Sequence, residues 1–73
     1  MSDEIFARAL EAFERIPSPG TLERSIGILA RGGVELPRIR SWARETAKSY
    51  GVAPYVQDFE AMMAGAAKLR VEA

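Results

Sequence analysis

The sequence predicts an all-α fold, a compact four-helix domain arranged as a bundle or as two stacked helical hairpins. Apolar residues recur at the three- and four-residue spacing of amphipathic helices along most of the chain. Proline and glycine interrupt this spacing around residues 17–20, 32–36 and 51–54. The chain has no alternating β-branched run and no Asn-Gly hairpin turn, so nothing in it predicts a strand.

Length and composition predict one small domain, residues 1–73, that has no disulfide bond and no net charge. A chain of 73 residues buries only about 60% of the surface that its unfolded form exposes. It has no cysteine, so no disulfide stabilises it. Ten basic and ten acidic residues give a formal net charge of zero, and no overall field attracts nucleic acid or a membrane.

The first helix is predicted over residues 3–16, with Ser2 as its N-cap. Its back alternates acidic and basic residues, which we interpret as a solvated surface. Its core face is predicted to consist of Ile5, Phe6, Ala9, Leu10, Ala12, Phe13 and Ile16.

The second helix is predicted over residues 19–31, after the proline-rich break, with Ser18 or Thr21 as its N-cap. Ile28 lies away from the main apolar face of this helix. We therefore expect either that this helix is the most enclosed one or that Ile28 is exposed for a partner, and we favour enclosure. The main apolar face is formed by Leu22, Ile26, Leu29 and Ala30.

The third helix is predicted over residues 37–50, and we expect it to be the central helix of the fold. Pro37 suits a first helical position, and Gly51 suits the left-handed residue that ends a helix. A basic stripe follows one flank, and Trp42 lies at the edge of the apolar face. The stripe is Arg40, Arg44 and Lys48, and the apolar face is Leu36, Ile39, Ala43, Ala47 and Tyr50.

The fourth helix is predicted over residues 54–70, with Pro54 as its first residue. Its back carries the small residues Ala61, Ala64 and Gly65 at positions where long charged side chains are usual. Its core face is predicted to be Tyr55, Val56, Phe59, Met62, Met63, Ala66 and Leu69.

Residue types argue against catalysis. The chain has no histidine to act as a base near neutral pH and no cysteine nucleophile. Gly32-Gly33 follows a helix, whereas a phosphate-binding loop follows a strand. Carboxylates and backbone oxygens alone do not form a tight transition-metal site. We therefore expect no catalytic residue, no metal, no cofactor and no small-molecule substrate.

We expect neither a membrane-spanning segment nor an export signal in these 73 residues. No apolar run approaches the roughly 20 residues of a membrane-spanning helix. The first ten residues, MSDEIFARAL, are acidic and amphipathic, unlike the basic and then apolar pattern of a signal peptide. We expect a soluble protein of the cytoplasm with no membrane partner.

These exclusions favour a small non-enzymatic protein-binding module, such as an adaptor, a chaperone-like subunit or an accessory subunit of a larger assembly. Its partner would be another protein or a second copy of the chain. Tryptophan and arginine are enriched at protein interfaces, so the third helix supplies most of the candidates. The candidate partner-binding residues are Arg40, Trp42, Arg44, Lys48, Ile28, Ala61 and Gly65.

Residues 29–42 suggest an alternative function. The Leu29-Ala30 pair, the Gly33-Val34 turn, Ile39 and Trp42 follow one another at a spacing that resembles the helix-turn-helix motif of bacterial regulators. The resemblance implies that the third helix is a recognition helix in the DNA major groove. It would direct Arg38, Arg40, Ser41 and Arg44 towards the major groove, where arginine can pair with guanine.

Overall fold

The computed structural model describes residues 2–52 and 56–72 and contains four helices in that part of the chain. They are α1 (Ser2–Glu14), α2 (Pro19–Arg31), α3 (Leu36–Ser49) and α4 (Val56–Glu72). No strand occurs among the described residues, which confirms the predicted all-α, four-helix fold. The predicted helix start at Pro54 and the predicted core position of Tyr55 lie outside these residues.

Helix boundaries follow the proline positions closely. α2 covers the predicted range, whereas α1 ends at Glu14, two residues before the predicted end. Pro17 disfavours helical conformation in the residue before it, which explains the early end. The prediction that Ile16 belongs to the core face was therefore wrong, because its side chain is 71% exposed.

α2 and α3 end in the same glycine-dependent motif. Gly33, with φ of 87°, donates its N–H to the Ala30 carbonyl at 3.1 Å, and Val34 donates to Leu29 at 3.1 Å. Gly51, with φ of 70°, follows α3 in the same way. These paired bonds satisfy the last carbonyls of a helix, and glycine adopts the left-handed conformation without a Cβ clash. The predicted helix ends at both glycines are confirmed.

The two helices begin differently. Ser18 caps α2: its Oγ accepts the Thr21 N–H at 3.2 Å, and the Thr21 hydroxyl accepts the Ser18 N–H at 3.1 Å. This reciprocal pair is a capping box. Glu35 occupies the equivalent position before α3, and its side chain makes no capping hydrogen bond. α3 therefore starts with less local support than α2.

α2 is the central helix. Its backbone lies close to those of α1, α3 and α4, whereas α3 lies close to the backbones of α2 and α4 only. The expectation that the third helix is central was wrong. The wide apolar arc of α2 explains the difference, because Leu22, Ile26 and Leu29 are completely buried and Ile28 is partly buried. An apolar arc this wide packs against neighbours on several sides.

Apolar side chains of all four helices form one core. Phe6 and Leu10, which the helical spacing predicts in the core, are only partly buried at its edge. Tyr50, also predicted on an apolar face, is 41% exposed, although its ring packs edge-to-face on Phe13 with centroids 5.3 Å apart. The buried apolar residues are Ala9, Phe13, Leu22, Ile26, Leu29, Ala30, Ile39, Ala43, Ala47, Phe59, Met62, Met63 and Ala66.

One polar side chain is buried in the contact between α1 and α2. Ser25 has no exposed surface, and its hydroxyl donates a hydrogen bond of 2.6 Å to the Ala9 carbonyl. The same hydroxyl also lies within hydrogen-bond distance, 3.1 Å, of the Thr21 carbonyl in its own helix, and its shorter bond to Ala9 is the one that joins α2 to α1. Nothing in the spacing of serines along the chain predicts this contact.

Among the described residues, none of the helices has both the length and the apolar character needed to cross a membrane.

Candidate partner-binding surface

α3 presents one side to the core and the other to solvent. Ile39 and Ala43 are completely buried, which fixes the rotation of the helix about its axis. At about 100° per residue, this rotation turns Ser41, Glu45 and Lys48 away from the core. All three are exposed. The outward side of α3 is therefore a ridge with a neighbouring helix on each flank.

One groove lies between this ridge and α1. It has a volume of about 460 Å³, and its lining includes Ser41 and Glu45. The Phe6 and Trp42 rings pack against each other with centroids 6.0 Å apart and planes tilted by 56°. The Arg38 guanidinium carbon lies 5.0 Å from the Phe6 centroid, a cation–π arrangement. Two aromatic rings thus form the wall of a groove with a charged rim. We call it the aromatic groove.

A second groove lies between the ridge and α4. Its volume is about 610 Å³, and Ser41 lines it too. Met63, Ala64 and Ala67 give it an apolar side made of short or flexible side chains, and Arg40 and Glu60 form its polar part. We call it the small-residue groove. Among the residues that the structure describes, the lining is Leu36, Pro37, Arg40, Ser41, Glu60, Met63, Ala64 and Ala67.

Arg40 and Glu60 join α3 to α4 across the small-residue groove. The guanidinium donates two hydrogen bonds to the carboxylate, Nη1 to Oε2 at 2.7 Å and Nη2 to Oε1 at 3.1 Å. These bonds, together with the positive charges of Arg40 and Arg44, hold the pKa of Glu60 below its usual value, and the bond to Glu60 raises the pKa of Arg40. Such two-pronged pairing fixes both side chains in one geometry.

The predicted basic stripe is not uniform in the structure. Arg40 is neutralised by Glu60, and the Arg44 guanidinium carbon lies 5.8 Å from the centroid of the Phe59 ring. Lys48 is exposed one turn beyond Arg44. Of the residues predicted to bind a partner, Arg40 and Trp42 line the two grooves beside Ser41.

The other predicted partner-binding residues lie elsewhere. Ala61 and Gly65 are exposed on α4 but do not line either groove. Ile28 is partly buried and lines a different groove, between α1 and α2. The seven predicted residues therefore do not all line one groove.

Several groove residues were not predicted. Phe6 comes from α1, and Glu60 and Met63 come from α4. Helical spacing shows which residues share a face of one helix, but it does not show which helices lie beside α3. Arg40 and Glu60 carry opposite charges, which is compatible with a contact between α3 and α4. Several other pairs of oppositely charged residues are equally compatible with a contact between helices, so the sequence does not identify this pair.

The residues that carry the resemblance to a helix-turn-helix lie on α2, on α3 and in the connection between them. α2 and α3 are joined by residues 32–35, Val34 is partly buried, and Ile39 is completely buried. Arg38, Ser41 and Arg44 are exposed on α3. Arg40 differs, since its charge is paired with Glu60. DNA contact by this helix remains a prediction.

The described residues contain no group of three acidic side chains that could hold a metal ion. Tyr50 donates a hydrogen bond of 3.2 Å to Glu14 Oε2, and desolvation of its hydroxyl, followed by this bond and the nearby charge, raises its pKa. We interpret this bond as a surface link between α3 and α1. Comparisons with protein-family models, with curated proteins and with solved structures gave no match.

Proposed function

We propose that the protein is a small non-enzymatic protein-binding module, an adaptor, chaperone-like or accessory subunit, and that it binds its partner with the outward side of α3. One observation carries this proposal. The aromatic groove and the small-residue groove, about 460 and 610 Å³ in volume, lie on opposite flanks of one exposed helix and share Ser41. A partner segment lying over Ser41 would reach both grooves at once.

The chemistry of the two grooves suits a protein partner. Apolar surface enclosed by a polar rim is the usual organisation of a protein interface, and Trp and Arg are common at its strongest contacts. Here Trp42 supplies the aromatic wall, while Arg38 and Arg40 stand at the rims. Arg38 stacks on Phe6 and Arg40 is held by Glu60, so binding would cost little additional side-chain entropy. An amphipathic helix is the simplest partner for such a surface.

DNA binding is the second candidate, supported by the exposed Arg38, Ser41 and Arg44 on α3. Phosphate binding depends on several uncompensated basic groups. Arg40 is compensated by Glu60, and Glu45 adds a negative charge beside Ser41. This local balance favours a protein partner over a phosphate backbone.

The deciding experiment places a large side chain where the two grooves meet. Ser41→Trp should block both grooves, whereas Ser49→Trp adds the same side chain at an exposed serine of α3 that lines neither groove. Each variant is immobilised, exposed to extract of the native host, and analysed by quantitative mass spectrometry. A partner retained by wild type and Ser49→Trp but lost with Ser41→Trp supports the proposal. Equal retention by both variants places the interface elsewhere.

A parallel titration with random-sequence duplex DNA tests the second candidate. For a DNA-binding protein, affinity should fall steeply as salt rises, and Arg38→Ala with Arg44→Ala should weaken binding to every duplex. For a protein-binding module, wild type should show no such salt-dependent binding. Circular dichroism on all variants confirms that the helix content is unchanged.

A further inference from the structure

A third groove, between α1 and α2, differs from the other two in having a strongly basic rim. Its volume is about 290 Å³. Arg8 and Arg15 come from α1 and Arg24 from α2, against a single acidic residue, Glu11. The groove shares no lining residue with the two grooves beside α3. We call it the basic groove.

The arginines of the basic groove have no internal partner among the described residues. The ion pair that the described part of the chain contains joins Arg40 to Glu60, and the arginines found over aromatic rings are Arg38, Arg40 and Arg44 of α3. Glu11 lies near Arg8 and Arg15 in sequence but is not within ion-pair distance of either. The basic groove therefore keeps an excess of positive charge that the fold does not use.

The floor of the basic groove is apolar. Ala12 and Ile28 line it, and both are partly buried. Arg8 and Arg15 lie seven residues apart on α1, which places them about 10 Å apart along the helix axis. Carboxylates two helical turns apart on a partner helix would match this spacing, and an aliphatic side chain between them would reach Ile28.

We infer that the basic groove is a docking site for an acidic amphipathic helix of a partner protein, with carboxylates on Arg8, Arg15 and Arg24 and an aliphatic residue over Ile28. A second copy of the chain that docked through its own basic groove would bring the same local excess of positive charge and would be repelled. The closely spaced charges of a phosphate backbone would meet Glu11, which lies between Arg8 and Arg15 along α1 and lines the groove. This site is additional to the proposed binding surface on α3.

The test uses a synthetic helical peptide of about 15 residues, a length at which an isolated helix becomes marginally stable in water. It carries two glutamates seven residues apart with a leucine between them, and a fluorescent label for anisotropy. Wild-type protein should bind it, and Arg8→Gln with Arg24→Gln should weaken binding by about tenfold or more. Arg31→Gln, an exposed arginine of α2 outside the groove, is the matched control and should leave the affinity unchanged.

Two altered peptides identify what the groove recognises. Replacing both glutamates by glutamine should abolish measurable binding, and replacing the leucine by serine should weaken it. The inference would be overturned if the serine peptide bound as tightly as the leucine peptide, or if Arg31→Gln lost as much affinity as Arg8→Gln with Arg24→Gln. Either result would show that binding reflects general charge attraction. Failure of wild type to bind the glutamate peptide would overturn it as well.

Two further measurements test whether nucleic acid occupies the basic groove and whether the groove is independent of the α3 surface. Random duplex DNA should not displace the peptide from wild-type protein, and displacement would assign the groove to nucleic acid instead. Ser41→Trp should bind the peptide with wild-type affinity, because Ser41 is not part of the basic groove. Loss of peptide binding in Ser41→Trp would show that the two surfaces are not independent and would overturn the inference.

Discussion

α2 and α3 are neighbours of almost equal length, 13 and 14 residues, with the same ending, yet they have opposite roles. α2 packs against all three other helices and carries three completely buried aliphatic residues, Leu22, Ile26 and Leu29. α3 buries one side only and exposes the ridge around Ser41. The comparison indicates that α2 holds the fold together, while α3 carries the surface available for binding.

The difference begins in the sequence of each helix. α2 has few charged residues, Glu23, Arg24 and Arg31, so most of its circumference is available for packing. α3 has four basic residues and one acidic residue in 14 positions, and they confine its apolar part to one side. Charged side chains are rarely fully buried unless paired, so α3 must keep a side towards solvent.

Truncation of one leucine in each helix should show the largest contrast. Leu29 of α2 is completely buried, whereas Leu36 of α3 is partly buried beside the small-residue groove. Leu29→Ala should lower the free energy of unfolding by about 2–5 kcal/mol. A domain of this size has a total stability of only about 3–5 kcal/mol, so this variant should be largely unfolded.

Leu36→Ala is the matched control, and it should lose clearly less stability because part of its side chain already contacts water. Urea unfolding followed by circular dichroism measures both changes. Equal losses in the two variants would contradict the assignment of α2 as the stabilising helix.

Two serines sharpen the same comparison without a change in apolar packing. Ser25 of α2 is buried and donates to the Ala9 carbonyl, whereas Ser41 of α3 is exposed. Ser25→Ala removes the hydrogen bonds of this hydroxyl to the Ala9 and Thr21 carbonyls and should cost about 0.5–1.5 kcal/mol. Ser41→Ala should change the stability by about 0.5 kcal/mol at most, as is usual for surface positions. Thermal unfolding of both variants gives the two values. If Ser41→Ala lost as much stability as Ser25→Ala, Ser41 would belong to the packed interior.

These examples show which features the sequence can predict. The four helices and the turns at Gly33 and Gly51 depend on local signals, namely apolar spacing and residues with special backbone preferences. Both were predicted correctly. The position of Ile16 was predicted wrongly because helical spacing continues to the residue before Pro17, although the helix itself does not. Local signals therefore locate the helices, and they also locate the helix ends that a glycine marks, but they misplace the end of α1, where the break is Pro17.

Features that depend on which helices are neighbours were not predictable in this way. The bond from Ser25 to Ala9 joins residues 16 positions apart, and the Arg40–Glu60 pair joins residues 20 apart. Many alternative pairs at such separations are equally compatible with four amphipathic helices. For the same reason the grooves beside Ser41, whose walls come from three helices, become visible only when the helices are assembled.

The helix starts provide a smaller contrast. Ser18→Ala removes the capping box of α2 and should cost about 1 kcal/mol. Glu35→Ser introduces a hydroxyl where α3 has no side-chain cap, and it should raise the stability by less than about 1 kcal/mol. Chemical unfolding of the two variants should therefore show shifts of opposite sign. A loss of stability in Glu35→Ser would mean that the glutamate stabilises α3 through its charge near the helix N-terminus.

The smallest effect concerns the Arg40–Glu60 pair, which joins α3 to α4 at the surface, with side chains 38% and 53% exposed. Because the pKa of Glu60 is lower in the folded protein than its ordinary value of 4.5, this group stabilises the fold at pH values above that ordinary pKa. The stabilisation is lost as the pH falls through the folded pKa, when the carboxylate becomes protonated. Wild type should therefore be slightly more stable than Glu60→Gln at pH 7, and the difference should shrink and disappear as the pH falls through the lowered pKa of Glu60. A double-mutant cycle with Arg40→Gln isolates the pair, since its coupling energy should be favourable at neutral pH and vanish in acid. A coupling that persists in acid would show that Arg40 acts through its packing on Phe59, whose ring centroid lies 5.5 Å from the guanidinium carbon, instead of through the charge of Glu60.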